Sequence, residues 1–225
     1  MTAVVTGASR GIGRATALEL AERGMSLALI GRPSKDLDDT CASARRRVKA
    51  EVVPCDLSRP REVADAAEVV LGSAGAPAVV VHNAAVIHRA PVEGMSDAAW
   101  NEQLDVNLRA PFLLTRALLP AMKKAGRGRL IYIGSISSTL GTASASAYCA
   151  SKWGLVGFMK SVAEELANTG LMAMAVLPGS VDTRMLEGSG FPPRMSAGDV
   201  AKTVAHYAVD ASLSHNGGVV EMFGI

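Results

Sequence analysis

The chain has 225 residues, of which 49% are hydrophobic and 20% are charged, and its formal net charge is +2 at pH 7. This length and composition predict a single folded domain, residues 1–225, with a substantial core, and they exclude an intrinsically disordered chain. The small net charge gives no general nucleic-acid footprint, and the cations around Arg46 are interpreted as the solvated face of a helix. We therefore predict no nucleic-acid partner.

The cysteines and the apolar stretches exclude further classes. Cys41, Cys55 and Cys149 are odd in number and show no C-x-x-C spacing, so neither a disulfide framework nor a zinc site is favoured, and we predict no metal. The longest apolar stretches have the length of strands, and the first of them begins almost at Met1. We therefore expect no signal peptide and no membrane span, and a cytoplasmic protein.

Strand-like and helical segments alternate along the whole chain. Near-continuous aliphatic runs such as Ala78-Val79-Val80-Val81 are typical of strands that are buried on both faces of a parallel sheet. The predicted strands lie near residues 2–6, 26–30, 51–54, 78–82, 129–134, 171–177 and 218–222. With right-handed crossovers, this pattern predicts a Rossmann-like, doubly wound α/β fold with helices on both faces of the sheet.

The first predicted strand leads into a glycine-rich turn that opens a helix. The turn reads Gly7-Ala8-Ser9-Arg10-Gly11-Ile12-Gly13. Glycines let the backbone approach a pyrophosphate, and the free N–H groups and dipole at the start of a helix favour its negative charge. The spacing differs from the standard G-x-G-x-x-G fingerprint, so the prediction of a dinucleotide site depends on the strand–turn–helix context. The alternative is a tight turn without a ligand.

The end of the second predicted strand indicates which dinucleotide is bound. In this fold an acidic residue at that point binds the ribose 2′-hydroxyl of NAD, whereas arginine accommodates the 2′-phosphate of NADP. Here the residues are Gly31 and Arg32, and Arg10 of the glycine turn supplies a second guanidinium. We therefore predict NADP(H) in preference to NAD(H). The alternative is that both arginines are solvated surface residues.

A long helical stretch from about Asp97 to Ala125 contains Asn107, which has a poor helix propensity. Pro111 is predicted to kink this helix and to free a carbonyl near Asn107. Without other motifs, Asn107 would be interpreted as an exposed or locally back-bonded helix residue.

Ser135, Tyr148 and Lys152 together indicate acid–base chemistry. A helix carries residues i and i+4 on one face, so the phenol of Tyr148 and the ammonium of Lys152 can act on the same small volume. A nearby positive charge is expected to lower the pKa of the phenol, and Ser135 can hydrogen-bond a substrate oxygen. On its own, Tyr-x-x-x-Lys is a weak signal, since a half-buried Tyr beside a solvated Lys is common.

Several separate segments, in the right order, resemble the motifs of the classical short-chain dehydrogenase/reductase family over nearly the whole chain. Besides the glycine turn and the Ser135, Tyr148 and Lys152 set, they are Asp56-Leu57, Asn83-Ala84-Ala85, Asn107 and Pro178-Gly179-Ser180-Val181-Asp182-Thr183. There are two modest departures: Ala85 stands where a glycine is usual, and His82 stands where an asparagine is common. The methyl group of Ala85 is expected to crowd the cofactor ribose.

The resemblance implies a seven-stranded sheet and a role for each motif. It implies that the Asp56-Leu57 pair contacts adenine and that the segments 83–85 and 178–183 line the cofactor, the latter at the nicotinamide carboxamide. Asn107 would complete a catalytic tetrad as part of a water-linked proton relay to Lys152. Lys152 would also hold the nicotinamide ribose, beside Tyr148.

Two surfaces are assigned by the same resemblance. Residues 184–196 occupy the position of the family's substrate-covering loop, and their apolar side chains favour a modest apolar ketone or aldehyde, although packing on a neighbouring subunit or helix is the alternative. Family members commonly form homodimers or homotetramers through the helices that carry Asn107 and Tyr148. Residues that can support such contacts, or that can equally belong to the core, are Trp100, Leu104, Phe112, Leu113, Trp153 and Phe158.

The sequence thus predicts an NADP(H)-dependent oxidoreductase that interconverts a carbonyl compound and an alcohol, with Tyr148 as proton donor or acceptor. A noncatalytic NADP(H)-binding sensor or scaffold on the same fold is the main alternative, and the intact Ser135, Tyr148 and Lys152 argue against it. A sugar epimerase or dehydratase of the longer family branch is disfavoured by the short C-terminal region and the form of the glycine turn.

Overall fold

A parallel sheet of seven strands forms the centre of the fold. The computed structural model describes residues 1–224. The strands are Thr2–Thr6 (β1), Ser26–Gly31 (β2), Ala50–Pro54 (β3), Val79–His82 (β4), Gly128–Ile133 (β5), Leu171–Pro178 (β6) and Val219–Met222 (β7). Their order in the sheet is β3-β2-β1-β4-β5-β6-β7. This confirms the predicted doubly wound sheet, and each predicted strand boundary lies within one residue of the observed one.

Helices connect the strands and cover both faces of the sheet. They are Gly11–Glu22 (α1), Lys35–Arg45 (α2), Pro60–Ala74 (α3), Asp97–Leu104 (α4), Ala110–Ala125 (α5), Ser146–Glu165 (α6) and Ala197–Ala205 (α7). A π-helical turn, Asp105–Arg109, joins α4 to α5, so the irregularity predicted near Pro111 is present in this form. None of the helices within residues 1–224 is long and apolar enough to span a membrane.

The core consists of two layers, one on each face of the sheet. One layer packs α3, α5 and α6 against the sheet, with Ala66, Leu114 and Leu155 among its buried side chains. The other packs α1, α2 and α7 against the opposite face. Every residue of β4 and of β6 is buried, as expected for strands covered on both sides.

The strand order fixes where a ligand can bind. β1 lies between β2 and β4, with Val4 opposite Ala28 on one side and Val80 on the other. The chain therefore leaves β1 and β4 in opposite directions across the sheet. In open α/β sheets such a switch point opens a crevice outside the carboxyl ends of the strands, and most of the predicted motif residues lie at that edge.

Candidate active site

The glycine turn is hydrogen-bonded to the residue that follows β4. The Asn83 side-chain amide donates hydrogen bonds to the carbonyl oxygens of Thr6 (2.9 Å) and Gly7 (3.2 Å). A Cβ atom at Gly13 would lie 2.2 Å from the Gly7 oxygen and 2.3 Å from Asn83 Nδ2. Only glycine fits at position 13, because both neighbours are themselves fixed by hydrogen bonds.

Thr6 holds the other side of this contact. Its hydroxyl oxygen accepts hydrogen bonds from the backbone N–H groups of Asn83 and Ala84, each 3.0 Å long. Gly7 has φ +68, and a Cβ atom there would lie 2.8 Å from Ala84 Cα. The predicted residues Gly7, Gly13, Asn83 and Ala84 are therefore brought together, as their sequence motifs implied.

The start of α1 fits the phosphates of a dinucleotide. The Arg10 side chain at the N-cap makes no capping hydrogen bond, and the first turn contains no acidic residue, so the N–H groups there face no competing carboxylate. A Cβ atom at Gly11 would lie 3.1 Å from Thr183 Cγ2, so the segment after β6 closes on the same turn. The backbone thus forms a cradle of the shape and polarity that a pyrophosphate needs.

Arg32 and Asp56 lie near each other beyond the ends of β2 and β3. Asp56 Oδ1 accepts hydrogen bonds from the backbone N–H (3.0 Å) and the hydroxyl (2.8 Å) of Ser58. These bonds lower the pKa of the Asp56 carboxyl, and the charge of Arg32 acts in the same direction. Arg10 and Arg32 are exposed, and neither forms an ion pair with another residue in the 1–224 range.

Tyr148 and Lys152 lie one turn apart on α6, and both are buried. The Lys152 ammonium donates a 2.7 Å hydrogen bond to the Ile133 carbonyl at the end of β5, and its Nζ lies 5.6 Å from the centre of the Tyr148 ring. Ser135 lies two residues beyond the end of β5, and its hydroxyl accepts a 3.1 Å hydrogen bond from the Ser137 N–H. The strand end and the helix thus bring three of the four predicted catalytic side chains to one site.

The pKa values differ from the expectation that Lys152 lowers that of Tyr148. Burial raises the pKa of Tyr148 to about 12, while the nearby hydroxyl of Ser135 and the charge of Arg89 act in the opposite direction. Burial also lowers the pKa of Lys152 to about 7. The loss of solvation is therefore the main influence on both pKa values and favours the neutral form of each group, which the i, i+4 spacing did not reveal.

Asn107 holds the chain segment that follows β4. It is fully buried in the π-helical turn, where its Oδ1 accepts from the Val86 N–H (2.8 Å) and its Nδ2 donates to the Val86 carbonyl (2.9 Å) and to Ser151 Oγ (3.0 Å). An exposed or back-bonded asparagine is therefore excluded. The side chain reaches the neighbour of Lys152 rather than Lys152 itself.

The segment 184–196 contacts the phenol of Tyr148 near its first residues. Met185 lies in a short 3₁₀ turn, and its sulfur is 3.9 Å from the Tyr148 oxygen. The base of the segment is closed by a 3.0 Å hydrogen bond from the Asp182 N–H to the Met195 carbonyl. Phe191, at 58% exposure, points largely into solvent, so the apolar side chains of the segment do not all turn inward.

The expected partner surface divides into two groups. Trp100, Phe112 and Trp153 are among the exposed large hydrophobic side chains. Leu113 and Phe158 are partly buried and pack against the core. The helical faces of α4, α5 and α6 therefore carry a set of aromatic side chains that the fold itself does not cover.

Sequence reasoning assigned no role to several polar residues around the site. His82 Nε2 and the Tyr132 hydroxyl both contact Thr115 Oγ1, at 3.0 and 2.9 Å, beneath the end of β4. Burial lowers the pKa of His82 to about 3, so the imidazole is neutral. Gln103 and Arg89 were also overlooked, although Arg89 follows the Asn83 motif closely enough that its place beyond a strand end was a usable signal.

Comparison with known proteins gives a consistent set of relatives. Residues 1–190 match the short chain dehydrogenase family. The chain is 32% identical over 234 aligned positions to the 3-oxoacyl-[acyl-carrier-protein] reductase FabG of Escherichia coli (strain K12), covering 99% of this chain and 95% of that protein. It is 34% identical to the D-beta-hydroxybutyrate dehydrogenase of Rhizobium meliloti (strain 1021), covering 83% of this chain and 73% of that protein.

Solved structures with the same fold contain NADP. One is a metagenomic short-chain oxidoreductase in complex with NADP, which is 36% identical with a TM-score of 0.87 and covers 100% of this chain and 97% of the other. Another is described as a putative NAD(P)-dependent gluconate 5-dehydrogenase from Beutenbergia cavernae with bound NADP, 32% identical with a TM-score of 0.91, covering 98% and 94% of the two chains.

Proposed function

Because this chain belongs to the short-chain dehydrogenase/reductase family of oxidoreductases, we propose that it interconverts a carbonyl compound and an alcohol with NADP(H), using Tyr148 as the proton donor or acceptor. The observation that carries the proposal is the meeting of Ser135, Tyr148 and Lys152 beyond the end of β5, on the edge of the sheet that also carries the glycine turn. When bound, the nicotinamide supplies or accepts the hydride.

The residues of the site divide the remaining work. In reduction, the neutral phenol of Tyr148 is in the right form to give a proton to the substrate oxygen, and its pKa of about 12 keeps that proton available at neutral pH. Ser135 hydrogen-bonds and steadies the same oxygen. Lys152, held by the Ile133 carbonyl, protonates readily near neutral pH because its pKa is about 7. A charged Lys152 favours the phenolate that forms when the proton leaves.

Asn107 supports this relay by fixing the surrounding backbone. Its amide ties Val86 to Ser151, which precedes Lys152 on α6. We propose that Asn107 and Lys152 form the inner end of a water-linked path that returns a proton to Tyr148. Met185 covers the phenol from the other side, and the segment 184–196 would exclude water from the bound substrate.

The proposed cofactor is NADP(H), in preference to NAD(H). Two structural neighbours have NADP bound, and this chain lacks a carboxylate at Gly31 while Arg32 lies close enough to Asp56 to lower its pKa. The remaining residues predicted to contact the cofactor come from the glycine turn and from the ends of β3, β4 and β6. They are Ser9, Ile12, Leu57, Ala85, Pro178, Gly179 and Val181.

The type of reaction is supported by the names of the relatives. One is named as a reductase of a 3-oxoacyl group and another as a dehydrogenase of a hydroxybutyrate, which are the two directions of one carbonyl–alcohol interconversion. We further propose a homodimer or homotetramer in the cytoplasm, with the exposed aromatic residues of α4, α5 and α6 at the subunit contact. Trp153, with 53% of its surface exposed, is the best candidate for that contact.

The test is a panel of carbonyl compounds assayed by NADPH oxidation, followed by Tyr148→Phe. The variant removes only the phenolic oxygen, so we expect unchanged NADPH binding and a fall in kcat of at least about 100-fold, or roughly 2.7 kcal/mol in the barrier. Tyr207→Phe is the matched control, because Tyr207 lies on the opposite layer of the core and its hydroxyl makes no hydrogen bond within residues 1–224. It should retain full activity.

Two outcomes would contradict the proposal. Retention of more than about a tenth of the wild-type kcat in Tyr148→Phe would remove Tyr148 from the proton-transfer step. Binding of NADPH without oxidation across the whole panel would favour the noncatalytic sensor or scaffold.

A further inference from the structure

The short segment that follows β4 is fixed on both sides of Arg89. The His88 N–H donates a 3.1 Å hydrogen bond to Gln103 Oε1, and the Gln103 side chain is fully buried on α4. The Ala90 N–H donates a 3.0 Å hydrogen bond to the Ser144 carbonyl. The backbone of Arg89 is therefore held between α4 and the segment that precedes α6.

The side chain of Arg89, in contrast, is free. His88 contacts Glu102 at 2.7 Å, so the nearest carboxylate on α4 already has a partner. Within residues 1–224, the Arg89 guanidinium forms no ion pair and no hydrogen bond. Glu93, the next acidic residue along the chain, is exposed and does not pair with it. The guanidinium on this fixed backbone is therefore available to bind a ligand.

The backbone next to Arg89 lies beside the start of the helix that carries Tyr148. Ala90 pairs with Ala145, which is the N-cap of α6, and Tyr148 lies in the first turn of that helix. The positive charge of Arg89 also acts on the phenol of Tyr148, where it opposes the rise in pKa that burial causes. The glycine turn, by comparison, is bound by Asn83, at the other end of the same loop. The loop therefore contacts the glycine turn with its first residue, Asn83, and the start of α6 with Ala90, the neighbour of Arg89.

We propose that Arg89 is a specificity-determining residue that binds a carboxylate on the carbonyl substrate. This inference rests on the proposed function and names its substrate class. The class is oxo acids, or the corresponding hydroxy acids, in which the carboxylate is a separate group from the reacting carbonyl or hydroxyl carbon. The planar guanidinium offers paired N–H donors that match the two oxygens of a carboxylate. An apolar substrate body remains compatible with Met185, whose sulfur lies 3.9 Å from the Tyr148 oxygen.

The experiment compares oxo acids with their methyl esters in the wild type and in charge variants. Each pair has the same reacting carbonyl and differs only in the anionic group, and the panel varies the number of carbons between them. We expect kcat/KM for the best acid to exceed that for its ester by about tenfold or more. Arg89→Gln should abolish this preference, mainly by raising KM for the acid, and should lower kcat/KM for the acid far more than for the ester. Arg89→Lys should restore part of it.

Two further variants make the comparison specific. Arg46→Gln, an exposed arginine in the connection between α2 and β3, is the remote control and should not alter the ratio of acid to ester. Arg184→Gln removes a second exposed cation, which is the chain neighbour of Met185. Loss of the acid preference in Arg184→Gln but not in Arg89→Gln would overturn the assignment and move the anion site to the segment 184–196.

The remaining outcomes separate this inference from the function on which it rests. Equal kcat/KM values for acids and esters in the wild type would overturn the role of Arg89 while leaving the oxidoreductase intact. A higher value for a phosphorylated carbonyl compound than for any oxo acid would overturn the choice of carboxylate. No NADPH oxidation with acids, esters or any other carbonyl compound would overturn the proposed function itself.

Discussion

The floor and the rim of the candidate site are built from different kinds of residue. The floor is buried and consists of Gly13, Asn107, Tyr148 and Lys152. The rim is exposed and consists of the arginines Arg10, Arg32, Arg89 and Arg184. Floor residues are bonded into the fold, whereas the rim arginines extend from fixed backbone into solvent. A change in the floor should therefore alter stability and function together, and a change in the rim should alter ligand choice alone.

The physical reason for the difference is solvation. Burial shifts the pKa of Tyr148 to about 12 and that of Lys152 to about 7, which means that the fold bears a cost for keeping these groups in place. An exposed guanidinium keeps its hydration, and its contribution to folding is small. Its charge becomes important only when a ligand with a complementary group removes that water.

The largest effect is expected for Gly13→Ala, in the floor. The added methyl group would lie 2.2 Å from the Gly7 oxygen and 2.3 Å from the Asn83 amide nitrogen, so one of them must move. We expect the free energy of unfolding to fall by about 3 kcal/mol and NADPH binding to be lost. Denaturant unfolding and fluorescence titration with NADPH measure the two effects.

Gly72→Ala is the matched control for this prediction. Gly72 is also helical, in α3, but a Cβ atom there meets nothing within 4 Å. Alanine should stabilise the protein by roughly 0.5–1 kcal/mol at this position, because it restricts the unfolded chain. Normal NADPH binding by Gly13→Ala would show that the glycine turn does not need its observed shape.

The sequence predicted the strands and the residues of the floor better than it predicted the contacts and the protonation of those floor residues. Strand positions and the glycine turn are local patterns, so they could be read directly from the chain. The π-helical turn at Asp105–Arg109 could not, because the bonds of Asn107 reach Val86 and Ser151, which are distant in sequence. For the same reason the raised pKa of Tyr148 was missed: the spacing to Lys152 is local, whereas burial depends on the whole fold.

Lys152→Met should change how stability depends on pH. The unfolded lysine has a pKa near 10.5 and the folded one about 7, so between these values the unfolded chain binds more protons. The free energy of unfolding of the wild type should therefore rise with pH across this window, relative to the variant. The slope is at most about 1.4 kcal/mol per pH unit. The penalty for burying the charge is fully present below the folded pKa and disappears above the unfolded one.

Urea unfolding of both proteins at about pH 7, 8 and 9 measures this difference, and these conditions stay below the raised pKa of Tyr148. Subtracting the variant from the wild type cancels the titration of all other groups. A difference that is flat across the three pH values would mean that Lys152 keeps an ordinary pKa in the folded protein. Lys152 would then affect the pH dependence of the free energy of unfolding no more than an exposed rim residue does.

The smallest effect on the fold is expected from the double variant Gly31→Asp with Arg32→Ala, at the rim. A Cβ atom at Gly31 would lie 3.5 Å from Leu37 Cδ2, an ordinary van der Waals contact, so the new carboxylate can be accepted without strain. It adds an acceptor for a ribose 2′-hydroxyl and repels a 2′-phosphate, while the loss of Arg32 removes a phosphate donor. We expect the preference for NADPH over NADH, measured as a ratio of dissociation constants, to change by at least about 100-fold and to reverse. The free energy of unfolding should change by less than about 1 kcal/mol.

Arg46→Ala, at a remote exposed position, is the control and should leave both the cofactor preference and the free energy of unfolding unchanged. Equal wild-type affinities for NADPH and NADH would contradict the role of Arg32. A reversed preference with a large loss of stability would show instead that Gly31 and Arg32 contribute to the stability of the fold as the floor residues do.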